Sequence, residues 1–259
     1  MISEKVTMQS FHDGQVARLT LNAPKANILD SDMMAGLDGL LSDLRDRQEL
    51  KLLELTGAGD HFSFGASVQE HAREQAPAML RQFHGLFHAL IELAVPAAAL
   101  VSGQCLGGGL ELALMCNFLF ADRSARLGQP EINLGVFAPP ASLILPLKIG
   151  QHKADEMLLT GRSYTAEEAA SMGLVTALFN DREEMLLGVD EWLVKNILPK
   201  SAAALRFAVR AARLRFNDLL TVQLRSIEAL YLDRLMSTHD ANEGIASFLE
   251  HRKPSWKNC

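Results

Sequence analysis

Hydrophobic and polar positions alternate between Val6 and Leu21, and the alternation breaks only at "HDGQ", where Asp13-Gly14 supplies a turn. That spacing predicts a β-hairpin. The polar segment "NAPKANILD" reads as a loop. After it, with Ser31 as N-cap, apolar residues fall at Met33, Met34, Leu37, Leu40, Leu41 and Leu44, a helical period with a charged far side. "KLLELTGAGD" predicts a short buried strand closed by a glycine turn, and "HFSFGASVQEH" a loop entering a short helix. A helical stripe runs from Pro77 to Leu93 and stops before Pro96. "AAALVSG" then reads as a strand, followed by a glycine turn and the buried helix "LELALMC". Short strands in "FLFADRSARLGQPEI", two short helices in "SLILPLKIG" and "ADEMLLTG", and a helix in "TAEEAASMGLV" with the capping box Thr165-x-x-Glu168 complete an α/β pattern. Beyond about residue 178 the chain predicts three helices with no strand between them. We therefore divide the chain into a core, residues 1–199, and a helical region, residues 200–259.

The stretch "GQCLGGGLE", residues 103–111, sets three glycines between two apolar runs. It is no phosphate loop: G-x-x-x-x-G-K-[ST] is missing, and Leu112 stands where a G-x-G-x-x-G would need its third glycine. Two readings stay open. Small residues let a helix pack closely on a strand; alternatively, the unpaired N–H groups of a helix's first turn can hold an oxygen on which negative charge develops. An oxyanion hole needs two donors. The glycine-flanked loop "FSFGAS" offers a second, so the N–H groups of Ala66 and Gly108 are the candidate pair. Glu111 falls in the first turn of the glycine-led helix, where the helix dipole favours its ionised form.

Composition narrows the alternatives. Of 259 residues, 48% are hydrophobic, enough for a large core. Three cysteines, an odd count without C-x-x-C spacing, support neither a disulfide framework nor a zinc ribbon and suit a reducing cytoplasm. The N-terminal segment has no basic stretch leading into an apolar one, and no apolar run reaches the about 18 residues that span a bilayer. A net charge of −6 gives no overall field to gather nucleic acid or an anionic membrane. His84 and His88 share a helix face, but "HGLFH" lacks the glutamate of H-E-x-x-H and favours a structural role. No G-x-S-x-G elbow marks a serine hydrolase.

Taken in order, "FSFGASV", "GQCLGGGLELALMC", "GQPEINLG" and "TAEEAASMGLV" resemble the crotonase (enoyl-CoA hydratase/isomerase) family along nearly the whole chain. The resemblance implies a fold of repeated ββα units and a C-terminal helical region that forms trimers, often paired into hexamers. It implies that the N–H groups of Ala66 and Gly108 bind a thioester oxygen and that Glu111 and Glu131 are catalytic, Glu111 activating water and Glu131 donating the proton. Having both glutamates favours adding water over shifting a double bond or hydrolysing the thioester, because hydration needs one carboxyl to deprotonate water and a proton donor for carbon. Coenzyme A is expected against "PKANI" and "GASV", through Lys25, Ala26, Ile28, Ala66, Ser67 and Val68. No metal and no cofactor beyond the coenzyme A of the substrate is implied.

Two departures from the usual family pattern bear on the substrate: "FGAS" stands where Ala-Gly-x-Asp is common, and "GVFAPPAS" replaces a glycine-rich stretch. With "LRFAVRAAR" and "EALYLDRLMSTHDANEG", these segments resemble family members that hydrate a cyclic conjugated dienoyl-CoA in anaerobic benzoyl-CoA breakdown. That likeness implies a flat acyl pocket, for which Phe64 and Phe137 are candidates. Straight-chain enoyl-CoA hydration and dienoyl-CoA isomerisation are the alternatives within the family. A non-catalytic RNA-binding or scaffolding role is the alternative outside enzymology; its densest basic stretch, "RFAVRAARLRF", falls on a helix that by resemblance builds the trimer.

Overall fold

In the computed structural model, which describes residues 4–23 and 25–259, the alternating start of the chain forms the expected hairpin. Strands β1 (Val6–Phe11) and β2 (Val16–Leu21) pair antiparallel, Val6 opposite Leu21 and Phe11 opposite Val16. Helix α1 (Ser31–Asp43) follows, then β3 (Leu52–Gly57), α2 (Ala76–Leu93) and β4 (Ala97–Val101). The cap of α1 is Asp30 rather than Ser31: its Oδ1 accepts from Met33 N at 2.9 Å, while Oδ2 meets Lys5 Nζ at 2.5 Å. A carboxylate placed one residue earlier satisfies a free N–H and also opposes the helix's positive end.

The segment expected as one strand, a glycine turn and a helix contains a second strand. After β4 the chain turns at Gly103 into β5 (Gln104–Leu106), and only then enters α3 (Gly108–Leu114). Next come β6 (Phe118–Asp122), β7 (Arg126–Gly128), α4 (Pro139–Ile149), α5 (Gln151–Thr160), β8 (Ser163–Thr165), α6 (Ala166–Ser171) and β9 (Ala177–Phe179). The capping box of α6 is complete: Glu168 N donates to Thr165 Oγ1 at 3.2 Å and Thr165 N to Glu168 Oε2 at 2.8 Å. The main sheet runs β1-β2-β3-β4-β6-β9, parallel from β2 onward, and a second sheet runs β5-β7-β8. Strand pairs with covering helices make up an α/β arrangement of the kind the resemblance implies.

Period-two side chains give the main sheet two apolar faces. Leu19, Leu53, Leu55, Ala97 and Ala99 join the core with α1 and α2. Val16, Leu52, Ala98, Leu100 and Phe120 face helix α7 (Arg182–Asn196) through Met185, Val189 and Leu193. Covered on both sides, β3 buries all six of its residues.

The C-terminal region holds α8 (Ala202–Ala212), α9 (Leu214–Asp218), α10 (Leu224–Ala229) and α11 (His239–Leu249). Helix α11 was not foreseen, because its stripe is short and interrupted by Gly244; Thr238 caps it by accepting from Ala241 N at 3.2 Å. Helices α9 and α10 are joined by a π turn, Leu219–Gln223, and a second π turn, Leu230–Arg234, continues α10. These segments send Leu220, Leu224, Tyr231, Met236 and Ile245 into the main core.

Leu55 lies between Leu19 of β2 and Ala99 of β4 and is 1% exposed. Leu55→Ala is expected to lower unfolding free energy by about 2–5 kcal/mol, measured by denaturant titration; a loss below about 1 kcal/mol would show that this strand does not anchor the core.

Candidate active site

Two loops meet at the ends of the parallel strands. The first carries Asn27, buried and in the left-handed region at φ +46°. Its side-chain amide donates to Ala58 O (2.9 Å) and His61 O (2.8 Å), and its Oδ1 accepts from Ala23 N (3.0 Å). The second loop is tied to the first through Ser63, whose hydroxyl donates to Asn27 O at 2.7 Å and accepts from Gly65 N at 3.0 Å. Phe64 N donates to Ala26 O and Leu29 N to Gly65 O, both at 2.9 Å. The backbone around Ala66 is thus fixed from both sides.

The glycine triplet packs directly against this loop. A Cβ on Gly108 would lie 3.2 Å from Ala66 N, and one on Gly109 2.7 Å from Ser63 Cβ. Gly107 sits at φ +52°, and a Cβ there would meet Glu131 Oε1 at 2.6 Å. The close-packing reading of the triplet accords with these contacts: missing side chains bring a helix start against a loop and leave main-chain amides uncovered. The N–H groups of Ala66 and Gly108 donate to no acceptor among the described residues.

Glu111 is in the first turn of α3, 4% exposed, with Oε1 accepting from Ala141 N at 2.8 Å. Glu131 lies on the short helical turn Pro130–Leu134. The two carboxyls interact. Burial pushes Glu131 up to about 7; burial first, then the charge of Glu131, raises Glu111 well above the usual carboxylate range against the lowering effect of Ala141 N–H. Desolvation therefore outweighs the helix dipole that was expected to favour ionised Glu111. Such a pair holds a proton at neutral pH that isolated carboxyls would have lost. The buried Gln129 amide completes the cluster: turned so that its nitrogen donates, it lies 3.1 and 3.0 Å from Glu131 Oε1 and Oε2. Two polarising amides beside a carboxyl pair that can accept one proton and donate another suit addition of water next to a thioester.

Residues 12–259 match the family described as enoyl-CoA hydratase/isomerase. The chain belongs to that family. It is 45% identical over 246 residues to cyclohexa-1,5-dienecarbonyl-CoA hydratase of Thauera aromatica, covering 95% of this chain and 94% of that one. It is 36% identical to a probable enoyl-CoA hydratase of Mycobacterium bovis, covering 94% and 95%. The crystal structure of an enoyl-CoA hydratase from Mycobacterium avium subsp. paratuberculosis superposes with a TM-score of 0.85 at 24% identity, over 98% of this chain and 99% of that one, a likeness of fold.

The remaining residues expected of a crotonase fall in two places. Lys25, exposed at φ +80°, and the partly exposed Ala26 and Ile28 occupy the first loop; Pro24, also in "PKANI", lies outside the described residues. Ser67 is buried, Val68 is partly buried, and Ser67 O is 2.7 Å from His71 Nδ1. Phe64 and Phe137 do not stack together: Phe64 is exposed with its ring edge-on to His61, whereas Phe137 packs edge-on against Tyr231 at 5.3 Å. His84 pairs with Glu228 and packs against Phe87, in keeping with a structural role. Sequence reasoning missed Asn27, Ser63, Gln129 and Ala141. Gln129 was legible as part of "GQPE"; the other three act through backbone atoms or backbone partners and leave little trace in residue type.

The raised Glu131 fixes the sign of a pH effect. Ionisation costs more in the folded chain than in the unfolded one, so its contribution to stability is full below about 4.5 and falls as pH rises toward about 7. Glu131→Gln is expected to melt above the parent at pH 8, with the difference vanishing near pH 4.5. Thermal scans across that range check it, and a variant less stable than the parent at pH 8 would contradict it.

Proposed function

We propose that this crotonase adds water to cyclohexa-1,5-diene-1-carbonyl-CoA to form 6-hydroxycyclohex-1-ene-1-carbonyl-CoA, a step of anaerobic benzoyl-CoA degradation. The observation that carries the chemistry is the Glu111–Glu131 pair, Glu111 buried and Glu131 partly buried, beside two amides that donate to no acceptor among the described residues. The substrate rests on the near full-length likeness to the Thauera aromatica hydratase.

In this reading the N–H groups of Ala66 and Gly108 hold the thioester oxygen. In the form of the coupled pair whose proton sits on Glu131, Glu111, its Oε1 accepting from Ala141 N–H, takes a proton from water as the water oxygen bonds to ring C2. The C1–C2 π electrons move toward the thioester and into conjugation with the C5–C6 double bond. Glu131 delivers its proton to C5, leaving a C1–C6 double bond. Water is added across the diene's ends with no change of oxidation state, and Glu111 passes its proton back to Glu131 to reset the pair. Each lost oxyanion donor typically costs about 10²–10³ in rate.

Coenzyme A runs past Lys25, Ala26, Ile28, Ala66, Ser67 and Val68, with the acyl ring between Phe64 and Phe137. The C-terminal helices leave Phe207, Leu214, Val222 and Leu230 exposed, an apolar surface suited to the trimer, or paired trimers, of the family. A cytoplasmic location accords with free Cys105 and Cys116, and no helix among the described residues is long and apolar enough to cross a membrane. Straight-chain enoyl-CoA hydration is the second reading, favoured by relatives such as the Mycobacterium bovis protein.

Turnover of crotonyl-, cyclohexenecarbonyl- and cyclohexadienecarbonyl-CoA in ¹⁸O-labelled water separates the readings. The cyclic diene is expected to be the preferred substrate, with label in the product. Glu111→Gln and Glu131→Gln should each lose roughly 10²–10⁴ of the rate while still binding acyl-CoA. Preference for crotonyl-CoA would move the assignment to the straight-chain reaction, isomerisation without label would remove hydration, and full activity in either variant would remove that glutamate from the mechanism.

A further inference from the structure

Tyr231 belongs to the motif "EALYLDRLM", which the carboxyls and amides leave unexplained. It is 1% exposed, and its hydroxyl finds no hydrogen-bond partner among the described residues. A buried phenol normally places its O–H on an acceptor. This one is carried on the π turn Leu230–Arg234, a backbone form frequent at functional sites. Two contacts fix it. Its ring stands edge-on to Phe137, whose segment leads into the Ala141 N–H that holds Glu111. Three residues earlier, Glu228 pairs with His84 of α2 and pins the same helical run. Helix α2 also brings Phe83 behind Gly108, where a Cβ would lie 3.2 Å from Phe83 Cζ.

We propose that the Tyr231 hydroxyl is a further catalytic group, donating a hydrogen bond to the oxygen that adds to the substrate, as water before addition and as the product hydroxyl after it. This rests on the hydration reading above. Burial, and then the charges of Glu131 and Glu111, raise the phenol well above its ordinary value, so it stays protonated and acts as a donor. It transfers no proton in the net reaction; it orients the oxygen lone pair toward carbon while Glu111 removes the proton. A site whose only groups for that oxygen were the two carboxyls would hold it loosely once one of them is protonated.

Tyr231→Phe keeps the ring and removes the oxygen. Against the parent it is expected to lower kcat roughly tenfold or more with no loss in melting temperature, because the hydroxyl makes no hydrogen bond among the described residues. In a Glu131→Gln background, which suppresses turnover, calorimetry should show Tyr231→Phe weakening 6-hydroxycyclohex-1-ene-1-carbonyl-CoA roughly tenfold and cyclohex-1-ene-1-carbonyl-CoA less than about twofold. Equal weakening of both esters, no weakening of either, or a fall in melting temperature that accounts for the lost rate would overturn the proposal. Should the parent fail to hydrate the cyclic diene, the substrate assignment falls separately. The same comparison with 3-hydroxybutyryl-CoA and butyryl-CoA then decides the role of Tyr231, with selective loss for the hydroxylated ester supporting it and equal loss opposing it.

Discussion

Among the described residues the N–H groups of Ala66 and Gly108 lack acceptors, because the chain is changing direction at both points. Gly108 opens α3 immediately after Gly107, whose left-handed φ ends β5, and Ala66 follows Gly65 at φ +104°. Ordinary side chains at Gly107 and Gly108 would collide with Glu131 Oε1 and crowd Ala66 N. Leaving polar backbone groups unpaired is unfavourable, and the surrounding structure compensates by over-determining the geometry: Asn27 and Ser63 bind the two loops through four of their own polar atoms. The fold's strand ends bring the loops together, the glycines let them touch, and the buried polar contacts prevent relaxation into a better-satisfied backbone.

The carboxyl pair follows from the same crowding. Glu131 rests against the bare backbone at Gly107, and Glu111 projects from the helix that Gly107 caps. Neither can recover full hydration, so desolvation raises both and the site retains a transferable proton at neutral pH. The arrangement is a charge-handling device placed where charge is costly. The desolvation that would suit the pair to proton transfer also costs stability, the opposition expected where activity and stability compete.

Much of this was legible in the sequence because the informative residues are unusual. A glycine triplet between apolar runs has few explanations, and "FSFGAS" supplied the complementary turn. The capping box at Thr165 and the hairpin around Asp13-Gly14 are local signals and appear where expected. Less legible were features decided over long sequence distances. Strand β5 is three residues long and is defined by pairing with β7. Ser31 has the residue type of a cap, but Asp30 has the better position and a partner in Lys5. At Glu111 the helix dipole is outweighed by burial, which the sequence around it does not reveal. Tyr231, about a hundred residues further along than either carboxyl, carries no local signal of a site; only the fold shows that its buried hydroxyl has no hydrogen-bond partner among the described residues.

The proposed chemistry depends on the two amides polarising a thioester carbonyl, and the most direct measurement is the infrared stretch of that bond. With unreactive cyclohexanecarbonyl-CoA labelled with ¹³C at the carbonyl, difference spectra of the complex should show a band at lower frequency than the same ester in water. A band unshifted from water, or moved to higher frequency as in an apolar pocket, would mean that Ala66 and Gly108 do not grip the oxygen.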